Sequence, residues 1–264
     1  MMTATARFSG KSMVVTGAAQ GIGRQVAIEA AADGARLTLV DRSPLVREVA
    51  EQINAEHGQG MAIAVEADLE TWSGSEEAMA KANGRFGAID VLVNNVGGAI
   101  WMKPFDRFDE KQIVAEINRS LFPALWGCRA VLPYMYEQNR GAIVNVSSIA
   151  TRGINRVPYS AAKGAVNALT ASLAFEIGTR NIRINAVAPG GTSAPPRKIP
   201  RGTDPLTAQD KVWIKQVVDQ TVESSHMKRY GLQREMSAAI LFLASDAASY
   251  ITGTVLPVGG GDQG

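Results

Sequence analysis

The hydrophobic positions of this chain form short, nearly continuous apolar runs that alternate with longer segments of helical periodicity. The short runs, which predict strands, cover residues 11–18, 35–41, 60–68, 89–95, 141–148, 182–189 and 253–260. Between most of them, apolar residues recur three and four positions apart, which predicts helices at residues 22–32, 45–56, 75–86, 109–138, 159–177 and 233–245. Pro104 and Pro123 mark expected breaks in the long stretch that ends at residue 138. Continuous apolar runs are typical of strands that are covered on both faces.

The alternation of strand and helix predicts the fold class. Strands joined by helices of this length form right-handed crossovers, and these build a parallel sheet. The chain has no repeat of short period and no linker between two cores. We therefore expect an α/β protein in which residues 1–264 form one doubly wound Rossmann domain, with about seven parallel strands and helices on both faces.

Composition and charge exclude several classes of function. The apolar fraction of 46% and the charged fraction of 20% are those of an ordinary globular protein with a full core. The net charge of +2 gives no reason to expect nucleic acid or a membrane surface as a partner. Cys128 lies in an apolar context, and His57 and His226 have no ligand-like spacing, so no metal site is expected.

The N-terminal sequence and the lengths of the apolar runs bear on localisation. The first eleven residues, "MMTATARFSGK", have no apolar core of signal-peptide length. No apolar run approaches the ~20 residues that a membrane helix needs. We therefore expect a cytoplasmic protein.

A glycine-rich turn, "TGAAQGIG", places Gly17, Gly21 and Gly23 between the first strand and the first helix. Glycines there let the backbone approach a pyrophosphate, and the helix N-terminus offers free N–H groups. Three glycines alone are a weak signal, but the strand–turn–helix setting strengthens it. Asp41 ends the second strand, where a carboxylate binds a ribose 2′-hydroxyl and repels a 2′-phosphate. This favours NAD over NADP, with Arg42 as the counter-signal.

The stretch "YSAAK" puts Tyr159 and Lys163 on one face of a helix. Such a pair is common on helices by chance. Ser147 and Ser148, however, end the fifth predicted strand, and "NNVGG" ends the fourth. Because the carboxyl ends of parallel strands meet at one edge of the sheet, we expect these residues to share a ligand site.

These motifs together resemble the short-chain dehydrogenase/reductase family over residues 10–260. The residues that carry the resemblance are "TGAAQGIG", Asp41, Asp68, "NNVG", Asn118, "VSS" and "YSAAK". The resemblance implies that Tyr159 is the acid/base and that Lys163 stabilises its anion. It also implies that Ser148, favoured over Ser147, orients the substrate oxygen, and that Asn118 completes a proton relay.

The resemblance also implies NAD as cofactor and a homotetramer built through the helices of residues 109–138 and 159–177. The expected cofactor contacts are Gly17, Gln20, Gly21, Ile22, Gly23, Asp41, Asp68, Leu69, Asn95, Val96, Gly97, Tyr159, Lys163, Pro189, Gly190 and Thr192. The sequence departs from the family pattern at Val96, where alanine is usual. The loop between Ser148 and Tyr159 is also about two residues shorter than usual.

Longer stretches resemble one group within that family, the dihydrodiol dehydrogenases of benzoate breakdown. These stretches are "NNVGGAIWMKPF", "SLFPALWGCRAVLP", "SSIATRGINRVPYS" and "GGTSAPPRKIPR". The resemblance implies NAD-dependent oxidation of a small molecule, 1,6-dihydroxycyclohexa-2,4-diene-1-carboxylate, to catechol and carbon dioxide. The alternatives are another ring dihydrodiol such as that of p-cumate, a keto-acyl or sugar alcohol, or a cofactor-binding protein without activity.

A carboxylate substrate requires a cationic partner, and arginine suits that role because it binds a carboxylate in a bidentate manner. The expected substrate residues are Ser148, Tyr159, Arg152, Arg156 and Arg197. Further candidate cations are Lys103, Lys198 and Arg201. Trp101 and Met102 are candidates for an apolar wall.

The proline-rich stretch "GGTSAPPRKIPR" follows the sixth strand and suits neither helix nor strand. We expect it to begin a substrate lid over residues 190–228. The prolines stiffen the loop, and short helices over residues 204–225 would complete a cover that excludes water.

Overall fold

A parallel sheet organises the part of the chain that the computed structural model describes, residues 6–202 and 205–264. Within these residues, seven strands lie in the order β3-β2-β1-β4-β5-β6-β9, and every neighbouring pair is parallel. The strands are β1 Ser12–Thr16, β2 Arg36–Asp41, β3 Ala62–Glu66, β4 Val91–Asn94, β5 Gly141–Val146, β6 Ile182–Pro189, β7 Thr192–Ser193, β8 Gly231–Leu232 and β9 Val255–Val258. The two-residue strands β7 and β8 pair with each other, apart from the large sheet.

Helices connect the strands and cover both faces of the sheet. They are α1 Gly21–Ala32, α2 Leu45–His57, α3 Trp72–Phe86, α4 Glu110–Ser120, α5 Phe122–Gln138, α6 Val157–Ile177, α7 Ala208–Ser224 and α8 Gln233–Ala244. The helix expected over residues 109–138 is divided at Leu121. Pro123 then lies in the first turn of α5, where a missing N–H breaks no helical hydrogen bond.

Two hydrophobic cores lie on opposite faces of the sheet. Met13 and Val15 of β1 belong to the core that α1, α2 and α8 cover. Val14, between them, belongs to the core that α3, α5 and α6 cover. Since successive residues of a strand point to opposite faces, β1 supplies both cores. This arrangement confirms the predicted doubly wound α/β fold.

The strand order reverses direction between β1 and β4, since β2 and β3 lie on one side and β5, β6 and β9 on the other. Ligands of open α/β sheets bind at this reversal, outside the carboxyl ends of the strands. The fold therefore indicates a ligand site among the residues that follow β1, β4 and β5.

The segment after β6 differs from the sequence-based expectation. Instead of several short helices over residues 204–225, the structure has one helix of 17 residues, α7. A capping box begins it, because the Thr207 hydroxyl accepts from the Asp210 backbone N–H and the Asp210 carboxylate accepts from the Thr207 backbone N–H. Residues 203–204, which belong to the predicted lid, lie outside the described residues.

The sequence predicts no membrane-spanning segment, and the helices of the structure can be compared with this prediction. Among residues 6–202 and 205–264, no helix combines the length and the apolar character needed to cross a bilayer.

A buried polar chain connects β4, β5 and α6. The Asn94 amide donates to the Asn145 side chain over 3.0 Å, and the Asn145 amide donates to the Thr170 hydroxyl over 3.0 Å. Helix α5 approaches this chain closely at Gly127, where a Cβ atom would overlap the Oδ1 atom of Asn94. The absence of a side chain at Gly127 therefore permits the packing of α5 on β4.

We predict that Gly127→Ala lowers the free energy of unfolding by about 1–3 kcal/mol, because the added methyl group overpacks this contact. The matched control is Gly84→Ala in α3, where a Cβ atom would meet no atom within 4 Å. There alanine should be neutral or stabilise by up to about 1 kcal/mol. Urea unfolding of both variants measures the difference, and equal stabilities would contradict the packing argument.

Candidate active site

A cavity of about 380 Å³ lies at the carboxyl edge of the sheet, a size typical of small-molecule sites. Ser148 borders it just after β5, and Tyr159 and Lys163 border it from the first two turns of α6. The structure thus brings the three predicted catalytic side chains to one cavity.

Lys163 is almost fully buried, with 3% of its surface exposed. Its Nζ atom donates to the backbone carbonyl of Val146 over 2.7 Å. An ammonium group has three N–H donors, so this bond leaves two of them for other partners. Burial, and then the nearby charge of Arg201, lowers the pKa of Lys163 to about 8.

The two serines after β5 have different surroundings. The Ser147 hydroxyl donates to the Asn167 side chain, and it also lies 3.2 Å from the backbone carbonyl of Lys163. Ser147 therefore connects the end of β5 to α6 through hydrogen bonds of its side chain. The Ser148 hydroxyl accepts only from the backbone N–H of Ala150, so its own proton remains available. This supports Ser148, rather than Ser147, as the substrate-binding serine.

The glycine-rich turn lies against the end of β4. The Asn95 side chain donates to the backbone carbonyls of Thr16 and Gly17 over 3.0 and 3.2 Å. A Cβ atom at Gly23 would overlap the Gly17 carbonyl oxygen, so glycine is required there for close packing. Gly17 and Gly21 have φ angles of 65° and 66°, which glycine adopts without strain.

The first turn of α1 remains open to a ligand. Its N-cap residue, Gln20, makes no side-chain hydrogen bond to the N–H groups of the helix. A Cβ atom at Gly21 would meet nothing within 4 Å. Free N–H groups beside open space suit a pyrophosphate, so this part of the chain fits a dinucleotide.

The Gln20 side chain instead contacts the loop after β6. Its amide donates to the Ile199 carbonyl over 2.9 Å, and its oxygen lies 3.3 Å from the Ile199 backbone nitrogen, which donates to it. A two-point hydrogen bond therefore joins the glycine-rich turn to the predicted lid.

Asp41 lies at the far end of the cavity, after β2. Its carboxylate accepts from the backbone N–H groups of Ala19 and Ser43 over 3.1 and 3.0 Å. The neighbouring Arg42 lies 3.4 Å from the Glu70 carboxylate, and Arg119 lies 2.6 Å from the same group. Glu70 thus offsets the charge of Arg42, the residue that could attract a 2′-phosphate.

Most of the predicted site residues border this cavity. They are Gly17, Gln20, Gly21, Ile22, Asp41, Asp68, Leu69, Asn95, Val96, Gly97, Ser148, Arg156, Tyr159, Lys163, Pro189, Gly190, Thr192 and Arg197. Gly23 does not border it, because it packs behind the turn against Gly17. Arg152 borders a second, smaller cavity on the far side of Arg156.

Asn118 does not border the cavity either. Arg119, the next residue of α4, does border it. The role of Asn118 in a proton relay therefore remains a prediction.

Of the other three candidate cations, one borders the cavity and two do not. Lys103 donates to the Gln112 side chain over 2.6 Å, and Lys198 lies 3.6 Å from the Glu48 carboxylate. Neither lysine borders the cavity, whereas Arg201 does. Of the two candidates for an apolar wall, Met102 borders the cavity and Trp101 does not.

Several cavity residues were not predicted. Helix α7 contributes four of them at helical spacing, namely Ile214, Val217, Val218 and Thr221. Their spacing of three and four was a usable signal. Tyr230 gave no such signal, because it lies between α7 and β8 with no pattern around it.

Glu116 is a buried carboxylate that sequence reasoning missed. Its Oε1 atom accepts from the backbone N–H groups of Ile100 and Trp101 over 2.7 and 2.9 Å. Its Oε2 atom is buried without a hydrogen-bond partner among the described residues. Burial raises the pKa of this carboxyl group. Glu116 therefore fixes the segment that follows "NNVGG".

The parallel sheet, the open glycine-rich turn and the Ser148, Tyr159 and Lys163 cluster define a class of dinucleotide-dependent oxidoreductases. The family comparison agrees, since the model of the short chain dehydrogenases matches residues 11–201. The chain belongs to the short-chain dehydrogenase family, and it is an oxidoreductase that uses a nicotinamide cofactor.

Two relatives within this family share more than half of their residues with the chain. The chain is 61% identical to the 1,6-dihydroxycyclohexa-2,4-diene-1-carboxylate dehydrogenase of Acinetobacter baylyi, with 100% of each chain covered. It is 58% identical to the enzyme of the same name from Pseudomonas putida, with 98% and 94% covered. Among solved structures, the 3-ketoacyl-(acyl-carrier-protein) reductase of Brucella melitensis, complexed with NADH, matches with a TM-score of 0.82 and 27% identity, and the match covers 97% of this chain and 99% of that chain. These similarities confirm that the chain belongs to the family that its motifs resemble.

 

Proposed function

We propose that this protein oxidises 1,6-dihydroxycyclohexa-2,4-diene-1-carboxylate with NAD and yields catechol and carbon dioxide. The observation that carries the proposal is a cavity bordered both by Ser148, Tyr159 and Lys163 and by arginines. The two dehydrogenases with this substrate in their names, 61% and 58% identical to the chain, support the choice of substrate.

The proposed chemistry begins with a proton transfer. An ordinary phenol is a poor base at neutral pH, but a buried ammonium group beside it stabilises the phenolate. Lys163 supplies that charge, and Tyr159 then accepts the proton of the secondary alcohol. The Ser148 hydroxyl donates to the same oxygen and holds it in place. A bound nicotinamide ring supplies the acceptor for the hydride that leaves the carbinol carbon.

Loss of carbon dioxide requires no further catalytic group. Oxidation gives a ketone β to the carboxylate. When the bond between the ring and the carboxylate breaks, its electron pair moves toward the ketone, carbon dioxide leaves, and the ring becomes an aromatic catecholate. The protein therefore needs only to bind the diol, remove its proton and orient its C–H bond.

The experiment that tests this proposal is an assay of NADH formation on a panel of alcohols. The panel contains the benzoate-derived diol, the p-cumate dihydrodiol, a 3-hydroxyacyl thioester and a sugar alcohol. We expect the benzoate-derived diol to be oxidised with the highest kcat/KM, with one carbon dioxide released per NADH. Faster oxidation of another alcohol would reassign the substrate.

The matched variant is Tyr159→Phe, which removes only the phenolic oxygen. We expect kcat to fall about 100- to 10,000-fold, the usual contribution of an acid/base group. NAD binding, followed by calorimetry, should be retained because the ring remains. Full turnover by the variant would refute the acid/base role, and inactivity of the wild type on every alcohol would favour a cofactor-binding protein without activity.

We also propose NAD, rather than NADP, as the physiological cofactor. Two features support this preference. The Asp41 carboxylate borders the cavity where an adenosine ribose would bind, and Arg42 lies 3.4 Å from Glu70, a carboxylate that Arg119 shares. A 2′-phosphate would therefore meet the Asp41 anion, and it would compete with Glu70 for Arg42.

We expect Asp41→Asn to raise the ratio of kcat/KM for NADP to that for NAD by about 10-fold, or ~1.4 kcal/mol. The amide keeps an oxygen that can accept from the Ala19 N–H group but removes the repelling charge. Glu51→Gln, which removes an exposed charge from α2, is the control and should leave the ratio unchanged. An unchanged ratio in Asp41→Asn would contradict the proposed preference.

The remaining proposals concern the location of the protein, its oligomeric state and its domain structure. We propose a cytoplasmic homotetramer in which residues 1–264 form one domain and residues 190–228 act as the substrate lid. Exposed aromatic side chains support an interface through α6, since Phe175 is 95% exposed on that helix. Burial of this ring between protomers would remove apolar surface from water and so favour association.

Light scattering tests the assembly. We expect a mass of four times the 28.0 kDa chain for the wild type. Phe175→Asp should shift the mass toward smaller species, because a charge in an apolar interface disfavours association. Phe105→Asp, at another exposed aromatic position, is the control. A monomeric wild type would contradict the proposal.

A further inference from the structure

Charge is distributed unevenly along the cavity. The acidic residues that border it, among those described, are Asp41, Asp68 and Glu70. They lie after β2 and β3, at the end that suits adenosine. Two of the cations that border the cavity, Arg42 and Arg119, lie beside Glu70. The other cations that border it are Arg156, Lys163, Arg197 and Arg201.

Arg201 reaches the cavity from the loop after β6 and packs on the backbone of Gly98. A Cβ atom at Gly98 would lie 2.8–2.9 Å from three atoms of the guanidinium group. The Nε atom of Arg201 is buried without a hydrogen-bond partner among the described residues. The position of this side chain therefore depends on a glycine, and its Nε–H donor has no acceptor in the part of the protein that the structure describes.

Arg156 reaches the same cavity from the N-cap position of α6, three residues before Tyr159. Its Nη2 atom lies 3.5 Å from the Thr221 hydroxyl on α7, a long contact. Its Nε atom is also buried without a partner among the described residues. Burial lowers the pKa of Arg156, and the nearby charge of Arg201 lowers it further, whereas Tyr159, Tyr230 and Asp262 act in the opposite direction.

Neither guanidinium group lies within 4.0 Å of a carboxylate that the structure describes. Partly buried charges without a counter-ion are costly, and buried N–H donors without an acceptor add to that cost. An anion between the two arginines would supply both the charge and the acceptors. Arginine binds carboxylates through parallel N–H donors, which suits this role.

We propose that Arg156 and Arg201 together bind the carboxylate of the substrate, and that they select carboxylated ring diols over neutral ones. The inference rests on the proposed function for the identity of the substrate. Arg197 is exposed and lies next to the loop residues that contact Gln20, so it is not part of the pair. Arg152, in the smaller cavity, is not part of it either.

The test uses benzoate as the probe, because it carries the ring and the carboxylate but no alcohol to oxidise. Calorimetry measures its affinity for the protein saturated with NADH, in the wild type, Arg156→Gln and Arg201→Gln. We expect each variant to bind benzoate about 10- to 100-fold more weakly, the usual effect of losing a charged hydrogen bond. Arg201→Lys should lose less than Arg201→Gln because it keeps the charge.

Lys198→Gln is the matched control, since it removes a cation from the same loop at a position that does not border the cavity. It should bind benzoate like the wild type. The affinity for NADH, measured by fluorescence, should change by less than about 3-fold in every variant, which also shows that each one folds. Kinetics with a carboxyl-free cis-dihydrodiol should show no comparable loss.

Three results would overturn the inference. One is a wild type that does not bind benzoate, and another is unchanged benzoate affinity in both glutamine variants. The third is a loss of NADH affinity as large as the loss for benzoate, which would assign the arginines to the phosphates of the dinucleotide. Failure of the proposed function is distinct, because it would appear as a wild type that binds benzoate but does not oxidise the diol.

Discussion

The close contact between the glycine-rich turn and the end of β4 is the constraint on which the site depends. The Asn95 side chain bonds the carbonyls of Thr16 and Gly17, and Gly23 packs against the same turn without a side chain. These contacts fix the N-terminus of α1 beside the residues that follow β4. Since β4 also pairs with β5, the position of Ser148 is set relative to the same turn. The cofactor end and the reactive end of the cavity are therefore built on one rigid edge.

The cavity carries buried charge that the protein alone does not balance. Lys163 is held by a carbonyl rather than a carboxylate, and Arg156 and Arg201 have buried donors without acceptors among the described residues. Such a site costs free energy in the empty protein and recovers it when an anion binds. Ligands that bind only the folded state stabilise it by mass action, so this arrangement couples ligand affinity to stability.

The features of the fold and of the site that depend on local sequence pattern could be predicted from the sequence. Strand and helix positions follow from hydrophobic periodicity, and Tyr159 and Lys163 share a helical face because they are four residues apart. Directions of side chains across the fold were harder to predict. Asn118 lies on α4 as expected, yet Arg119 is the residue of that helix that borders the cavity. Arg201 could not be separated from Lys198 by composition, because only the packing on Gly98 turns it inward.

The loop after β6 connects the two ends of the cavity. Gln20, the N-cap residue of α1, bonds both backbone groups of Ile199, and Arg201 follows two residues later. A dinucleotide on the turn and a carboxylate on Arg201 would both act on this short loop. Its prolines limit the conformations available to it, which lowers the entropy lost when it is ordered. Because the ordering cost is shared, whichever ligand binds first reduces the cost for the second, and this predicts mutual enhancement of affinity without a change in the sheet.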